Sequence, residues 1–125
     1  MLPTPRMHAK QAVLKAARHI MDSGLVVGQG GNVSMRIERE PSLIAITPTQ
    51  RPYKLLRPES IPVVDLSGEL VQGRLAPSTE LSLHLEVYRG REDINAIIHC
   101  HPPHATACGV AGLEIPPIVD EMVVL

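Results

Sequence analysis

Two imidazoles one residue apart are the feature of this chain best suited to chemistry. They stand in the run Ile97-Ile98-His99-Cys100-His101-Pro102-Pro103-His104, at the end of an apolar stretch and just before a double proline. Alternate side chains of a β-strand share a face, so His99 and His101 project side by side while Cys100 points the other way. Paired neutral imidazoles are a common beginning for a transition-metal site. The plain alternative is a pair of polar residues closing a strand, and the spacing alone leaves both open.

A carboxylate is the next candidate. Ala76-Pro77-Ser78-Thr79-Glu80 opens a helix, with Ser78 as N-cap, Thr79 as first residue and Glu80 in the first turn. There Glu80 either complements the helix dipole, by about 0.3–1 kcal/mol, or faces the chemistry while Ser78, Thr79 and the free N–H groups bind a phosphate. His84 follows one turn later, spaced for a Glu-x-x-x-His metal pair, although such neighbours arise by chance on amphipathic helices.

Gly28-Gln29-Gly30-Gly31-Asn32 superficially suggests a dinucleotide loop. Such a loop follows a strand and opens a helix, whereas this one follows a helix and opens the strand Val33–Ile37. What remains is a bend that is either an anion-binding nest, with Asn32 as an added donor, or a simple tight turn.

The elements that must position these groups are short. Ala9, Ala12, Val13, Ala16, Ala17 and Ile20 fall at helical spacing over residues 7–23, after a mobile proline-containing lead-in and before Gly24 as C-cap. His8 and His19 read as surface residues of that helix. Strands are expected at 43–46 and 61–66, the latter placed at an edge or shortened by Pro62, with a hairpin partner at 69–71 after the Ser67-Gly68 turn. The helix from Ser78 buries Leu81, Leu83, Leu85, Val87 and Tyr88. A strand at 95–98 presents the histidines, and a third helix runs from Pro102 or Pro103 to about Ala111, with Cys108 buried in it.

Composition narrows the classes. The 125 residues make one domain, 44% apolar, with two Tyr and no Phe or Trp, so the core rests on aliphatic side chains. Net charge is −1, without a basic run or aromatic–basic interleaving, which argues against a nucleic-acid surface. No apolar stretch approaches the roughly 18 residues of a membrane span, and the N-terminus lacks the apolar core of a signal peptide. Two cysteines, Cys100 and Cys108, do not form a disulfide framework. A cytoplasmic protein is expected.

The order of these pieces is distinctive. Gly-Gln-Gly-Gly-Asn-Val-Ser at 28–34, Ile-Thr-Pro-Thr at 46–49, Val-Val-Asp-Leu at 63–66, Pro-Ser-Thr-Glu at 77–80, Leu-His-Leu-Glu-Val-Tyr-Arg at 83–89 and Ile-Ile-His-Cys-His at 97–101 occur in turn. Together they resemble the class II aldolase/adducin family of sugar-phosphate aldolases and 4-epimerases. The resemblance implies a three-layer α/β/α fold with a central, mostly antiparallel sheet. It implies that His99 and His101 are two of three zinc-binding histidines, that Glu80 is the acid/base carboxylate, and that Asn32, Thr49, Ser78 and Thr79 hold the substrate phosphate. The cofactor this implies is Zn2+ or another divalent transition metal, and the partner it implies is a small phosphorylated sugar; from composition, neither nucleic acid nor a membrane is expected. The family's third zinc-binding histidine lies downstream of residue 125, so the single domain over 1–125 is read as an N-terminal fragment. Gln50 departs from the glycine that the family usually has there.

The activity implied is retro-aldol cleavage of a ketose phosphate through an enediolate, in a homotetramer with sites at subunit interfaces. Glu80, where the epimerases typically have Asp, tilts the reading towards the aldolases. A 4-epimerase, a dehydratase or decarboxylase of the same family, and a non-catalytic adducin-like interaction domain are the alternatives.

Overall fold

A computed structural model describes residues 3–28 and 30–119. Five strands, β1 (Asn32–Ile37), β2 (Glu40–Ile46), β3 (Val63–Asp65), β4 (Leu70–Gln72) and β5 (Ala96–His99), form one sheet in the order β4-β3-β2-β1-β5. Every neighbouring pair is antiparallel. Among the described residues the last strand, β5, therefore lies beside the first, and this long-range pairing brings the histidine run to the glycine-rich bend.

Strand alternation divides the core into two layers. Val33, Ile37, Ala45 and Val63 face helix α1 (Pro5–Asp22), meeting Ala9, Val13, Leu14, Ala17 and Ile20. Ile44, Ile46 and Val64 face helix α2 (Leu81–Gly90), meeting Leu85 and Tyr88. The expected α/β/α layering is thus realised with aliphatic side chains, each contributing roughly 1.5–3 kcal/mol when fully buried. Arg18 ties α1 to the following loops by donating to the carbonyls of Tyr53 (3.2 Å) and Leu56 (2.7 Å).

Several local expectations are corrected. α1 starts within the supposed lead-in, because Pro5 suits its first turn and the Thr4 hydroxyl accepts from the Met7 N–H (3.3 Å). Of the two alternatives for Pro62 the second holds: β3 is shortened to begin at Val63, after Pro62, whose carbonyl accepts from the Ile46 N–H (3.1 Å), and it lies between β2 and β4 rather than at an edge. α2 begins at Leu81 rather than Thr79. The Ser78 hydroxyl instead accepts from the Glu80 N–H (3.2 Å), closing a turn ahead of the helix. On α2 the buried residues are His84, Leu85 and Tyr88, while Leu83 and Val87 face away from the sheet. Helix α3 (Pro103–Val110) has no buried residue, and Cys108 on it is only half-buried. His8 and His19 are exposed, as expected.

Candidate functional site

The site is assembled by two periodicities that match. Asn32, Ser34 and Arg36 alternate along β1 and share its α2 face. Glu80, His84 and Tyr88 recur every four residues, from the N-cap of α2 along its buried side. Two residues of strand advance about 6.7 Å and four residues of helix about 6.0 Å, so the two polar rows stay in register. Arg36 donates to the Tyr88 carbonyl (2.6 Å) and lies over the Tyr88 ring, 4.6 Å from its centroid. Ser34 Oγ is 2.8 Å from the Tyr88 hydroxyl and 2.7 Å from His84 Nδ1. His84 Nε2 meets Asn32 Oδ1, and Asn32 Nδ2 donates to Glu80 Oε2. Among the described residues no buried side-chain nitrogen or oxygen lacks a partner.

β5 brings the imidazoles to this row. Asn32 stands opposite His99 in the β1–β5 register, and His99 Nδ1 donates to Glu80 Oε2 at 2.6 Å. That bond places the His99 proton on Nδ1 and turns Nε2 towards His101 Nε2, 3.0 Å away, with ring centroids 4.8 Å apart. His101 lies just past β5 rather than in it. Its backbone N–H donates to the Leu25 carbonyl (3.0 Å), so the turn after α1 fixes its position. Cys100 points the other way, against the α1 layer.

Gly31 explains much of the glycine-rich bend. A Cβ there would sit 2.9 Å from the His99 carbonyl oxygen and against the Val26 side chain. Only glycine lets β5 come this close. The buried Tyr53 hydroxyl donates to the Gly31 carbonyl, while Gly28, at φ 64°, and the Gly30 N–H to Val27 carbonyl bond (3.1 Å) form a tight turn.

The electrostatics follow from these contacts. Burial pushes the Glu80 carboxyl up, but the Asn32 and His99 hydrogen bonds and the charges of His99 and His101 together outweigh it. Glu80 is held below the usual carboxylate range. His84 is lowered from 6.5 to about 4 by burial and by His99, against the opposing pull of Glu80, so it is neutral at neutral pH.

The two Nε2 atoms suit a divalent transition metal. Tetrahedral Zn–N bonds of about 2.0–2.1 Å place ligand nitrogens roughly 3.3 Å apart, a small opening from the observed 3.0 Å. A carboxylate on the other nitrogen of a ligating histidine is the usual outer support of such a site. The face is open, with the His99 and Glu80 side chains 25% and 41% exposed. Among the described residues no group of three or more His, Cys, Asp or Glu is placed to hold a metal.

Of the phosphate candidates, Ser78 and Thr79 directly precede Glu80 in the chain. The segments holding Thr49 and Ser78 pair through Thr49 N–H to Ala76 carbonyl and Ser78 N–H to Thr47 carbonyl bonds, both 3.0 Å, around a Pro48–Pro77 bridge. Ser78 is buried and Thr79 exposed. Thr49 lines a cleft with Gln50, Arg51 and Arg74, two cations that sequence reasoning had not singled out. Gln50 has φ 52°, the left-handed conformation that glycine adopts without strain. Both polar ends of the Asn32 side chain turn inward, to His84 and Glu80. Ser34 and Tyr88 were missed as parts of the site, and His84, weighed as a metal partner of Glu80, instead has its two ring nitrogens on Ser34 and Asn32. Their signal was the row of alternate polar residues in an otherwise apolar β1.

Residues 11–125 match the model of the Class II Aldolase and Adducin N-terminal domain. The chain belongs to the class II aldolase/adducin family. It is 38% identical over 109 residues to the 5-deoxy-D-ribulose 1-phosphate aldolase of Bacillus thuringiensis serovar kurstaki, an alignment covering 87% of this chain and 51% of that protein. Among solved structures, an L-fuculose 1-phosphate aldolase superposes with a TM-score of 0.78 at 36% identity, over 85% of this chain and 50% of that one. The L-fuculose 1-phosphate aldolase from Glaciozyma antarctica PI12 shares the fold, with a TM-score of 0.81 at 16% identity over 98% of this chain and 52% of that one. This family member spans about half the length of the relatives it matches. Among its described residues, no helix is long and apolar enough to cross a membrane.

Proposed function

We propose that this chain carries the acid/base half of a metal-dependent aldolase site, which cleaves a ketose phosphate by retro-aldol chemistry. The observation that supports this reading is the Glu80–His99 hydrogen bond beside the facing Nε2 atoms of His99 and His101. A divalent cation such as Zn2+, when bound by those two nitrogens, supplies Lewis-acid stabilisation of the negative charge that develops next to the carbonyl. Glu80 moves the proton. It takes that of the hydroxyl beside the breaking carbon–carbon bond and returns it to the carbon that receives the bonding electrons. The described hydrogen bonds to Glu80 from Asn32 and His99 both fall on Oε2, which leaves Oε1 for the substrate. Thr49, Ser78 and Thr79 hold the phosphate end, while Asn32, whose side-chain oxygen and nitrogen turn to His84 and Glu80, serves the carboxylate. In this reading the enzyme is a cytoplasmic homotetramer, and the remaining metal ligand comes from outside the described residues.

The test is a panel of ketose 1-phosphates, 5-deoxyribulose and fuculose 1-phosphates included, assayed with the purified full-length protein for release of dihydroxyacetone phosphate. Release is expected from at least one sugar, lost on chelation, restored by a divalent metal and abolished by His99→Ala. A protein that binds no stoichiometric metal and cleaves none of the panel would instead be an interaction domain. Inversion at a substrate carbon without cleavage would make it an epimerase.

A further inference from the structure

His84 is fully buried and stands in the middle of a hydrogen-bond chain that reaches Glu80. We propose that His84 is a positioning residue, which sets the orientation of the Asn32 carboxamide and through it the placement of Glu80. The proposal rests on the aldolase reading only for its kinetic consequence. Its structural content stands on the geometry.

The direction of each bond in the chain is fixed by elimination. Glu80 Oε2 is a carboxylate oxygen and accepts, so the Asn32 atom facing it must be the Nδ2 donor. Oδ1 then faces His84, and only a protonated Nε2 can donate to it. A neutral imidazole carries one proton, so Nδ1 is left as acceptor for the Ser34 hydroxyl (2.7 Å). Ser34 Oγ in turn accepts from the Tyr88 hydroxyl (2.8 Å). The order Tyr88 to Ser34 to His84 to Asn32 to Glu80 has a single consistent polarity. Turning the Asn32 amide over would set its oxygen against the carboxylate and its NH2 against the Nε2–H of His84. Both ends of the buried Asn32 side chain would then face groups with which they cannot pair. His84 thus holds Asn32 as a donor to Glu80, and the carboxylate is anchored from Asn32 on one side and His99 on the other.

Neutral, hydrogen-bonding replacements separate this role from simple packing. Gln at 84 can present its amide N–H near where Nε2 stands, whereas Asn is shorter and cannot reach Asn32. Crystal structures and steady-state kinetics of full-length, metal-loaded His84→Gln and His84→Asn are compared with the wild type. In His84→Gln, Asn32 is expected to stay on Glu80 and kcat to remain within about threefold. In His84→Asn, Asn32 is expected to turn from Glu80 and kcat to fall about 10–100-fold, the range for residues that orient catalytic groups. KM and metal content should be unchanged in both. Should His84→Asn fail to fold, Ser34→Ala serves, because it frees Nδ1 and should lower kcat with no change in KM. Asn32 remaining on Glu80 in His84→Asn, or equal kcat losses in the Gln and Asn variants, would overturn the proposal. If the wild type proves to have no aldolase activity, the Asn32 orientation in the crystal structures still decides it.

Discussion

Acidification should unlock the fold at His84 before it reaches the carboxylates. The folded protein holds this imidazole at about 4, against 6.5 for an unhindered one, through burial first and the field of His99 second, with Glu80 opposing. Because the folded-state value is depressed, the contribution is fully present above pH 6.5 and is lost as pH falls towards about 4: the unfolded chain takes up the proton first. Between those limits one extra proton binds the unfolded state, a slope of about 1.4 kcal/mol per pH unit, so the whole drop is worth about 3 kcal/mol. The assay is urea unfolding of wild type and His84→Gln between about pH 7.5 and about pH 4.5. The depressed carboxyls of Glu40, Asp65, Glu80 and Asp93 are present in both proteins and largely cancel in the difference. The wild type's advantage over the variant should shrink by about 2–3 kcal/mol across that range. A difference that stays flat would refute the claim that His84 folds as a neutral, desolvated group.

Three further expectations follow from individual contacts. Gly31→Ala forces a methyl to 2.9 Å from the His99 carbonyl; it should lower stability by about 1–3 kcal/mol and weaken zinc binding in calorimetry, because β5 must shift. Gln50→Gly relieves the φ of 52° and should raise unfolding free energy by about 0.5 kcal/mol, while Gln50→Val lowers it, since a β-branched residue is more strained there. Tyr88→Phe removes the hydroxyl that bonds Ser34 and should cost about 1 kcal/mol in urea unfolding.

Much of the arrangement was legible because it is local. The His99-x-His101 spacing and the start of a helix near Glu80 are short-range patterns, and both rings do meet on one side with Cys100 on the other. The position of the His84 side chain was not legible. Glu80 and His84 look like any i, i+4 neighbours until β1 is known to pack against α2, some 50 residues apart in sequence. The same packing decides which apolar residues of α2 are buried. Helical phase selects Leu85 and Tyr88 and turns Leu83 and Val87 outward, although all four are apolar or aromatic. The start of α2 was misplaced for a local reason, since the Ser78 hydroxyl satisfies the Glu80 N–H within a turn and not as a helix cap. Gly31 could be noticed but not explained, because its requirement comes from the His99 backbone, 68 residues later.

The central claim is that one carboxylate, supported by His99, moves the proton at a metal held by His99 and His101. Its most direct test is the Glu80→Gln variant of the full-length enzyme, loaded with zinc and assayed on the sugar phosphate that the wild type cleaves fastest. Zinc stoichiometry should be retained and kcat should fall by about 10²–10⁴-fold, the usual contribution of a positioned acid/base group. Cleavage at the wild-type rate with zinc still bound would contradict the account.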